Sequence, residues 1–478
     1  MDTLKVDVAV VGAGTAGLNA RREVERRGGR AVMIESGVHG TTCARVGCMP
    51  SKLLIAAADA AHALEHGPIF GVHAGTDRRI DGPAVMQRVQ RERDRFVGLV
   101  VANTGRIPEE QRLLGHARFT GPTTLVVDER VRVDARAVVV AAGSHPFVPP
   151  PFDAIRDRVL TSDEVFELKD LPASLAVIGT GIIALELGQA MQRLGVRTAF
   201  FNPFDEVGPF TDPEVRSVAR RDLATELDLR LGVQMVAAEP GSDGIRLRWR
   251  EQDGAMREEV FGQILVAAGR RPNITGLGLE TTGLALDAHG LPRIDPGTTR
   301  CGDASIFFAG DVNGHLPLLH EAADEGRIAG ANAMLWPAVE RHVRRVPLAI
   351  AFTDPQMAMV GARYADLPEG QRAIGRVSFE NQGRARVAGR DRGLLRVYGE
   401  LASCRLLGAE MFGPGMEHMA HLLAWAVQSG MTVQTALEMP FYHPVLEEGL
   451  RTALRNLARE LRAIGDCRPE DLAEAPGD

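Results

Sequence analysis

The sequence predicts an α/β protein built on two βαβ units of one plan, with an α+β unit after them. Two observations carry that reading: a glycine pattern that occurs twice between a strand and a helix, and a change of texture near residue 347.

In the first unit VDVAVVGAG reads as a strand that enters a helix through Gly12, Gly14 and Gly17, and AVMIE as a strand ending at Glu35. In the second, LAVIGTG enters a helix through Gly179, Gly181 and Ala184, and the strand RTAFFN ends at Asn202. Both terminal polar residues lie 23 positions after the first glycine. This is the layout of a Rossmann-like dinucleotide-binding unit: the glycines allow a tight turn and close approach, and the helix N-terminus faces a pyrophosphate. One such motif is weak evidence, whereas two in the right context are strong; the alternative is glycine-rich turns that bind nothing.

Between the units, residues 83–104 read as a long amphipathic helix and RVRVDARAVVVAAGS as strands ending in a glycine turn. FGQILVAAGRRPN repeats that theme, and IFFAGDVNG is a strand running into an acidic turn. From about 347, GLLRVYG and LLGAEMFG are β-rich, followed by helices from Glu417 to Gly430 and from Pro444 to about Leu461. The acidic tail, residues 465–478, is expected to be disordered.

A chain of 478 residues exceeds what one core usually organises. A net charge of −7 with no basic tail argues against nucleic acid as a partner. The N-terminus lacks a signal peptide's regions and no apolar run reaches membrane-spanning length, so a cytoplasmic protein with no membrane contact is expected. Structural disulfides are rare there, which points a close cysteine pair toward catalysis or metal binding.

Cys43 and Cys48 form such a pair, in GTTCARVGCMPSK, at the start of an expected helix. Ideal helical geometry would separate their Cα atoms by roughly 8 to 9 Å, beyond the usual disulfide range, so a bond requires a distorted turn. Gly47 and Pro50 make that plausible, and a helix N-terminus favours the thiolate. Catalytic disulfide, metal ligation and buried structural cysteines remain as readings, with metal the least supported because no CxxC or histidine completes a set. Cys301, Cys404 and Cys467 stand alone and receive no role.

Taken in order, GAGTAG with Glu35, TTCARVGCMPSK, AAGS (141–144), GTGIIALE (179–186), AAGRRPN (267–273), FFAGDV (307–312), FTDPQ (352–356) and YHPVLEE (442–448) resemble the class I pyridine nucleotide-disulfide oxidoreductases, and within them the dihydrolipoyl dehydrogenases. The resemblance covers nearly the whole chain. It implies an FAD-binding domain (1–148), an NAD-binding domain (149–272), a central segment returning to FAD (273–346) and an interface domain for dimerisation (347–464). It also implies a homodimer in which each site is completed by the partner, with a small dithiol, disulfide or lipoyl group as substrate and no metal. By position, Glu35 would hold the FAD ribose, Lys52 and Gly143 would contact FAD, and Asp311 its ribityl chain, with Thr42, Ala117, Ser144 and Leu318 also on the cofactor side. Lys52 and Glu186 would pair beside the flavin, while Gly179, Gly181, Asn202 and Gly269 would meet the nicotinamide dinucleotide. Cys48 would face the flavin as thiolate and Cys43 the substrate; His443, oriented by Glu448, would be the general acid/base. Exchange between thiols and disulfides needs such a proton carrier. On the residues alone, His443 reads as capping a helix that begins at Pro444.

Three departures bear on specificity. Thr41, Ala44 and Arg45 replace the family's glycine, leucine and asparagine, and Arg45 either favours the thiolate or faces solvent. FYHPV replaces HxHPT. Asn202 stands where NAD-selective members carry glutamate, yet the arginines of NADP-selective members are missing from the residues just beyond it, Pro203 to Asp205, so NAD(H) is expected. The leading function is oxidation of a dihydrolipoyl-type dithiol or its reverse; reduction of another disulfide or a quinone, and a non-catalytic flavoprotein, are the alternatives.

Overall fold

The computed structural model describes residues 1–73, 75, 79–467 and 469. The first unit is a mixed seven-stranded sheet. Its strands β3 (Arg112–Leu114), β2 (Ala31–Glu35), β1 (Asp2–Val11), β6 (Val131–Val140), β5 (Thr124–Val127) and β4 (Ala117–Phe119) lie in that order, with β16 (Ile306–Phe308) pairing β6 in parallel. The β1–β2 and β1–β6 pairs are parallel, as a βαβ crossover through α1 (Thr15–Arg26) requires. Val8, Ala9 and Val10 of β1 are fully buried, which explains its β-branched run: helices cover one face and loops the other.

The second unit repeats the device with four parallel strands, in the order β10 (Asp228–Leu231), β9 (Arg197–Asn202), β8 (Ser174–Ile178), β14 (Gln263–Val266), and helices α5 (Ile182–Arg193) and α6 (Pro213–Leu223). An antiparallel meander, β11 (Gln234–Gly241), β12 (Gly244–Arg250), β13 (Met256–Phe261), is inserted before β14. The short pair β7 (Ser144–Pro146) and β15 (Arg270–Pro272) ties the two units together.

The third unit is a five-stranded antiparallel sheet, β17 (Leu348–Ala351), β18 (Gln356–Gly361), β21 (Leu406–Gly413), β20 (Leu394–Glu400), β19 (Arg372–Ser378), with α8 (Gly383–Val387), α9 (Met416–Gln428), α10 (Val433–Leu437) and α11 (Glu448–Ile464). The α/β class with a C-terminal α+β unit is therefore as expected. Among the described residues no helix is long and apolar enough to cross a membrane.

Three expectations need correction. The last helix begins at Glu448 and not at Pro444, because Pro444 to Glu447 form an irregular turn stapled by Val445 N–H donating to Glu448 Oε2 at 3.1 Å. Helix α9 runs from Met416 and stops at Gln428, two residues before Gly430. Cys404 and Cys467 are not single: they form a disulfide with Cα atoms 5.8 Å apart. A partner 63 positions away leaves no local signal. Asp466 and Cys467 also donate backbone N–H groups to the Leu401 carbonyl. Residues 468 and 470–478 of the tail expected to be disordered lie outside the described residues. Cys301 is free and buried, which pushes its thiol pKa up.

Candidate active site

The cysteines sit where one helix is broken into α2 (Thr42–Val46) and α3 (Cys48–His66) at Gly47, with φ −127° and ψ −120°. This is the distortion that the five-residue spacing demands. A Cβ on Gly47 would lie 3.1 Å from the Thr42 carbonyl and 3.2 Å from the Cys43 Cα, so the break fits glycine best. Both cysteines are free, Cys43 half-buried and Cys48 exposed, and they are hydrogen-bonded to each other. That bond, with Cys43 as donor, is the largest cause holding Cys48 down to a pKa of about 7. Crowding on the protein side opposes the shift, while the charge of Lys52 and the N–H of Cys48 itself at the start of α3 support it. The same bond, together with burial, holds Cys43 well above the usual thiol range. Both shifts run the same way: Cys48 is the more acidic thiol of the pair and Cys43 the one that holds its proton. Arg45 folds back on the Val38 carbonyl at 3.2 Å, and the cation acting on Cys48 is Lys52.

Thr41 caps α2 through Ala44 N–H at 3.3 Å, but does so at φ +60°. A β-branched residue is strained there. Thr41→Gly is therefore expected to raise the thermal unfolding midpoint. Relief in the upper part of the range of about 1–3 kcal/mol, as expected for a β-branched residue, outweighs a few tenths for the cap and up to about 1 kcal/mol of backbone entropy. Calorimetry of the cofactor-loaded protein checks this, and a lower midpoint would sink it.

Lys52, on α3, donates to both oxygens of Glu186 on α5 at 2.8 and 3.0 Å. Glu186 is buried and also accepts the Phe352 N–H at 2.8 Å, while the Lys52 ammonium lies 4.5 Å from the Phe352 ring centroid. One carboxylate therefore joins all three units beside the cysteines.

The two glycine turns have matching geometry. Gly12 and Gly179 have φ +108° and +113°; a Cβ on Gly12 would run into the Ala141 carbonyl, and one on Gly179 would lie 2.6 Å from that of Ala267. Gly14 and Gly181 directly precede α1 and α5, and a Cβ on Gly17 would strike the Gly12 carbonyl. Each turn is a bare backbone cradle facing a helix N-terminus, which fits a pyrophosphate. Glu35 accepts Ala13 N–H at 2.7 Å and Gly37 N–H at 2.8 Å, which fixes its carboxylate beside the first cradle. Gly115 N–H donates to the Glu35 carbonyl at 2.9 Å, bringing the approach to Ala117 to the same strand end. Gly143 and Gly269 turn the chain at φ +70° and +111°. Ser144 donates to Asp311 at 2.8 Å. Leu318 immediately precedes α7 (Leu319–Leu335), and Thr42 is an exposed first residue of α2.

At the end of β9, Asn202 Nδ2 donates to Thr180 Oγ1 at 2.7 Å and to the Glu206 carbonyl at 3.1 Å. His443 Nδ1 lies 2.8 Å from Glu448 Oε1, and His443 is exposed. Neither residue hydrogen-bonds a cysteine of its own chain among the described residues. Arg270, Phe352, Thr180 and Glu206 were missed by sequence reasoning. Three of them lie in motifs already singled out, Thr180 in GTGIIALE, Arg270 in AAGRRPN and Phe352 in FTDPQ; Arg270 donates to Ser144 Oγ at 2.8 Å and to its carbonyl at 2.7 Å. Glu206 gave no signal, since its role comes from contacts across a loop.

These features are those of a protein with two dinucleotide cradles and a pair of free cysteines beside an ion pair. Family models agree: residues 6–326 match Pyridine nucleotide-disulphide oxidoreductase and 347–454 match its dimerisation domain. The chain belongs to the pyridine nucleotide-disulphide oxidoreductase family. Its cofactors are FAD and NAD(P)H, and the dimerisation domain supports a homodimer. It is 30% identical to dihydrolipoyl dehydrogenase 3 of Pseudomonas aeruginosa over 464 residues, covering 94% of this chain and 97% of that one. It is 31% identical to a mercuric reductase of Shigella flexneri over 480 residues, covering 96% and 82%. Among solved structures it is similar to LpdA of Mycobacterium tuberculosis, with TM-score 0.80, 24% identity and 95% and 100% coverage. The flavoprotein disulfide reductase RclA of Escherichia coli gives TM-score 0.79, 21% identity and 95% and 99% coverage. Relatives of different substrate thus stand at one distance from this chain.

Proposed function

We propose that this chain oxidises a dihydrolipoyl-type dithiol with NAD+, or runs the reverse reaction, through the Cys43–Cys48 pair. The observation that carries it is the placing of Cys43 and Cys48 on either side of the helix break at Gly47, with the Lys52–Glu186 ion pair beside them. Residues 1–148 hold FAD, with Glu35 on its ribose, Lys52 and Gly143 against it and Asp311 on its ribityl chain. Residues 149–272 hold the nicotinamide dinucleotide on Gly179, Gly181 and Gly269, and 347–464 form the dimer interface.

FAD, when bound, relays electrons between the nicotinamide and the cysteine pair. Everything else falls to side chains. A substrate thiol gives its proton to the partner subunit's His443, whose imidazolium Glu448 stabilises. The resulting thiolate attacks Cys43 Sγ of the oxidised pair, and Cys48 leaves as thiolate. A leaving thiol with a pKa of about 7 departs faster than an ordinary one. The second substrate sulfur then displaces Cys43, which takes a proton back from His443; the other proton goes to solvent. The substrate ends as a disulfide and the pair holds two electrons.

The lipoyl preference rests on a cavity of about 410 Å³ reaching Cys43. Leu18, Met49, Phe96, Leu99 and Val100 line it, which suits an aliphatic arm better than a charged peptide. A second reading, reduction of an anionic disulfide, is favoured by Arg21 and Arg22 on the same wall. Steady-state rates with dihydrolipoamide, glutathione disulfide and quinones, each with both nicotinamide cofactors, test the choice. Dihydrolipoamide is expected to lead by about 100-fold in kcat/KM, and equal or faster turnover of another acceptor would overturn the assignment.

A further inference from the structure

The strand that should end in the acid selecting against a 2′-phosphate ends instead in Asn202, and both hydrogens of its amide are spent within the chain, on Thr180 Oγ1 and the Glu206 carbonyl. Thr180 Oγ1 itself donates to the Glu206 carbonyl at 2.6 Å, and Gly208 N–H returns to the Thr180 carbonyl at 2.9 Å. Residues 203–208 are thereby sewn to the second glycine turn. This places Glu206 in the wall of a cleft of about 750 Å³ that Gly179, Thr180 and Gly181 also line.

Two arginines one turn apart on α6 reach the same loop. Arg216 Nη1 lies 3.1 Å from Glu206 Oε1, and Arg220 Nη1 lies 2.5 Å from Asp205 Oδ2. All four side chains are substantially exposed, and such pairs contribute at most about 1 kcal/mol to stability. Their effect on a ligand is larger. Left free, these guanidinium groups would offer a dianionic phosphate the forked donors it binds best. Held by carboxylates, they are occupied, and the carboxylate in the cleft wall adds repulsion.

We propose that Glu206, and not the residue ending β9, selects NAD(H) over NADP(H), by repelling a 2′-phosphate and by keeping Arg216 engaged. This rests on residues 149–272 being the nicotinamide unit and is independent of which dithiol is turned over.

The test is anaerobic reduction of the FAD-loaded enzyme by NADH and NADPH, read as the ratio of their second-order rate constants. Wild type is expected to favour NADH by at least about tenfold. Glu206→Gln is expected to shift the ratio toward NADPH by about ten- to a hundredfold, the worth of one charge-assisted hydrogen bond gained. Adding Arg216→Ala to Glu206→Gln should remove most of that shift, because the freed guanidinium supplies it. Glu206→Ala, read in the same way, keeps the test decisive should the glutamine variant lose its FAD. A wild type that uses NADPH as well as NADH, an unchanged ratio in both Glu206 variants, or a double variant that keeps the full shift would each overturn the proposal. No disulfide substrate is present, so failure with dihydrolipoamide in steady state leaves this ratio untouched.

Discussion

Cys48→Ser is expected to slow dithiol oxidation by at least about a thousandfold while reduction of FAD by NADH remains measurable. The reason is the division of labour within the pair. Cys48 has a pKa lowered to about 7, chiefly by the hydrogen bond from Cys43, so it is a thiolate above that pH and a thiol below it. Its hydrogen bond and charge hold the Cys43 proton on, so Cys43 leaves a mixed disulfide only when an acid elsewhere supplies that proton. Alkylation of the NADH-reduced protein by iodoacetamide should therefore rise with pH through a midpoint near 7. In Cys48→Ser the partner charge is gone, and the remaining thiol should titrate nearer the ordinary value of about 8.5. Retained turnover, or a midpoint that does not move upward, would refute the split.

His443→Ala is expected to cost about 10²- to 10⁴-fold in dithiol oxidation, with the loss confined to the half-reaction involving substrate sulfur. The 2.8 Å contact to Glu448 orients the ring, and the same carboxylate also accepts the Val445 N–H, so Glu448 positions both the ring and the turn that presents it. Glu448→Gln should keep the turn but hold the ring less firmly, giving a smaller loss in the same half-reaction. Stopped-flow measurement of the two half-reactions separates the cases. A His443→Ala enzyme slowed equally in both halves would contradict the assignment. Co-expressing Cys43→Ser with His443→Ala chains should restore turnover that neither homodimer shows, if sites are shared between subunits.

How far the sequence could be read follows from the range of the interactions. The βαβ units, their glycines and Glu35 were legible because strand, turn and helix are local and the required φ values leave glycine as the economical choice. The break at Gly47 was legible from the spacing of Cys43 and Cys48, which an unbroken helix cannot bridge. The start of α11 differs from the expectation because proline at a first helical turn is a good signal, and here a bond from the Val445 N–H to the Glu448 carboxylate holds the turn open. Cys404–Cys467 and the lock on Glu206 were invisible because both depend on contacts that only the folded loops create.

The carboxylate of Glu186 has a dynamic consequence. It accepts from Lys52 of the first unit and from the backbone of Phe352 in the third, while standing on a helix of the second. Rotating any unit against the others by a few ångströms would strand a buried charge, a penalty of about 3–5 kcal/mol. On the proposed function, electrons pass a point where the three units are tied together, and a variant that loosened Glu186 is expected to show itself first in its fluctuations and only afterwards in its rates.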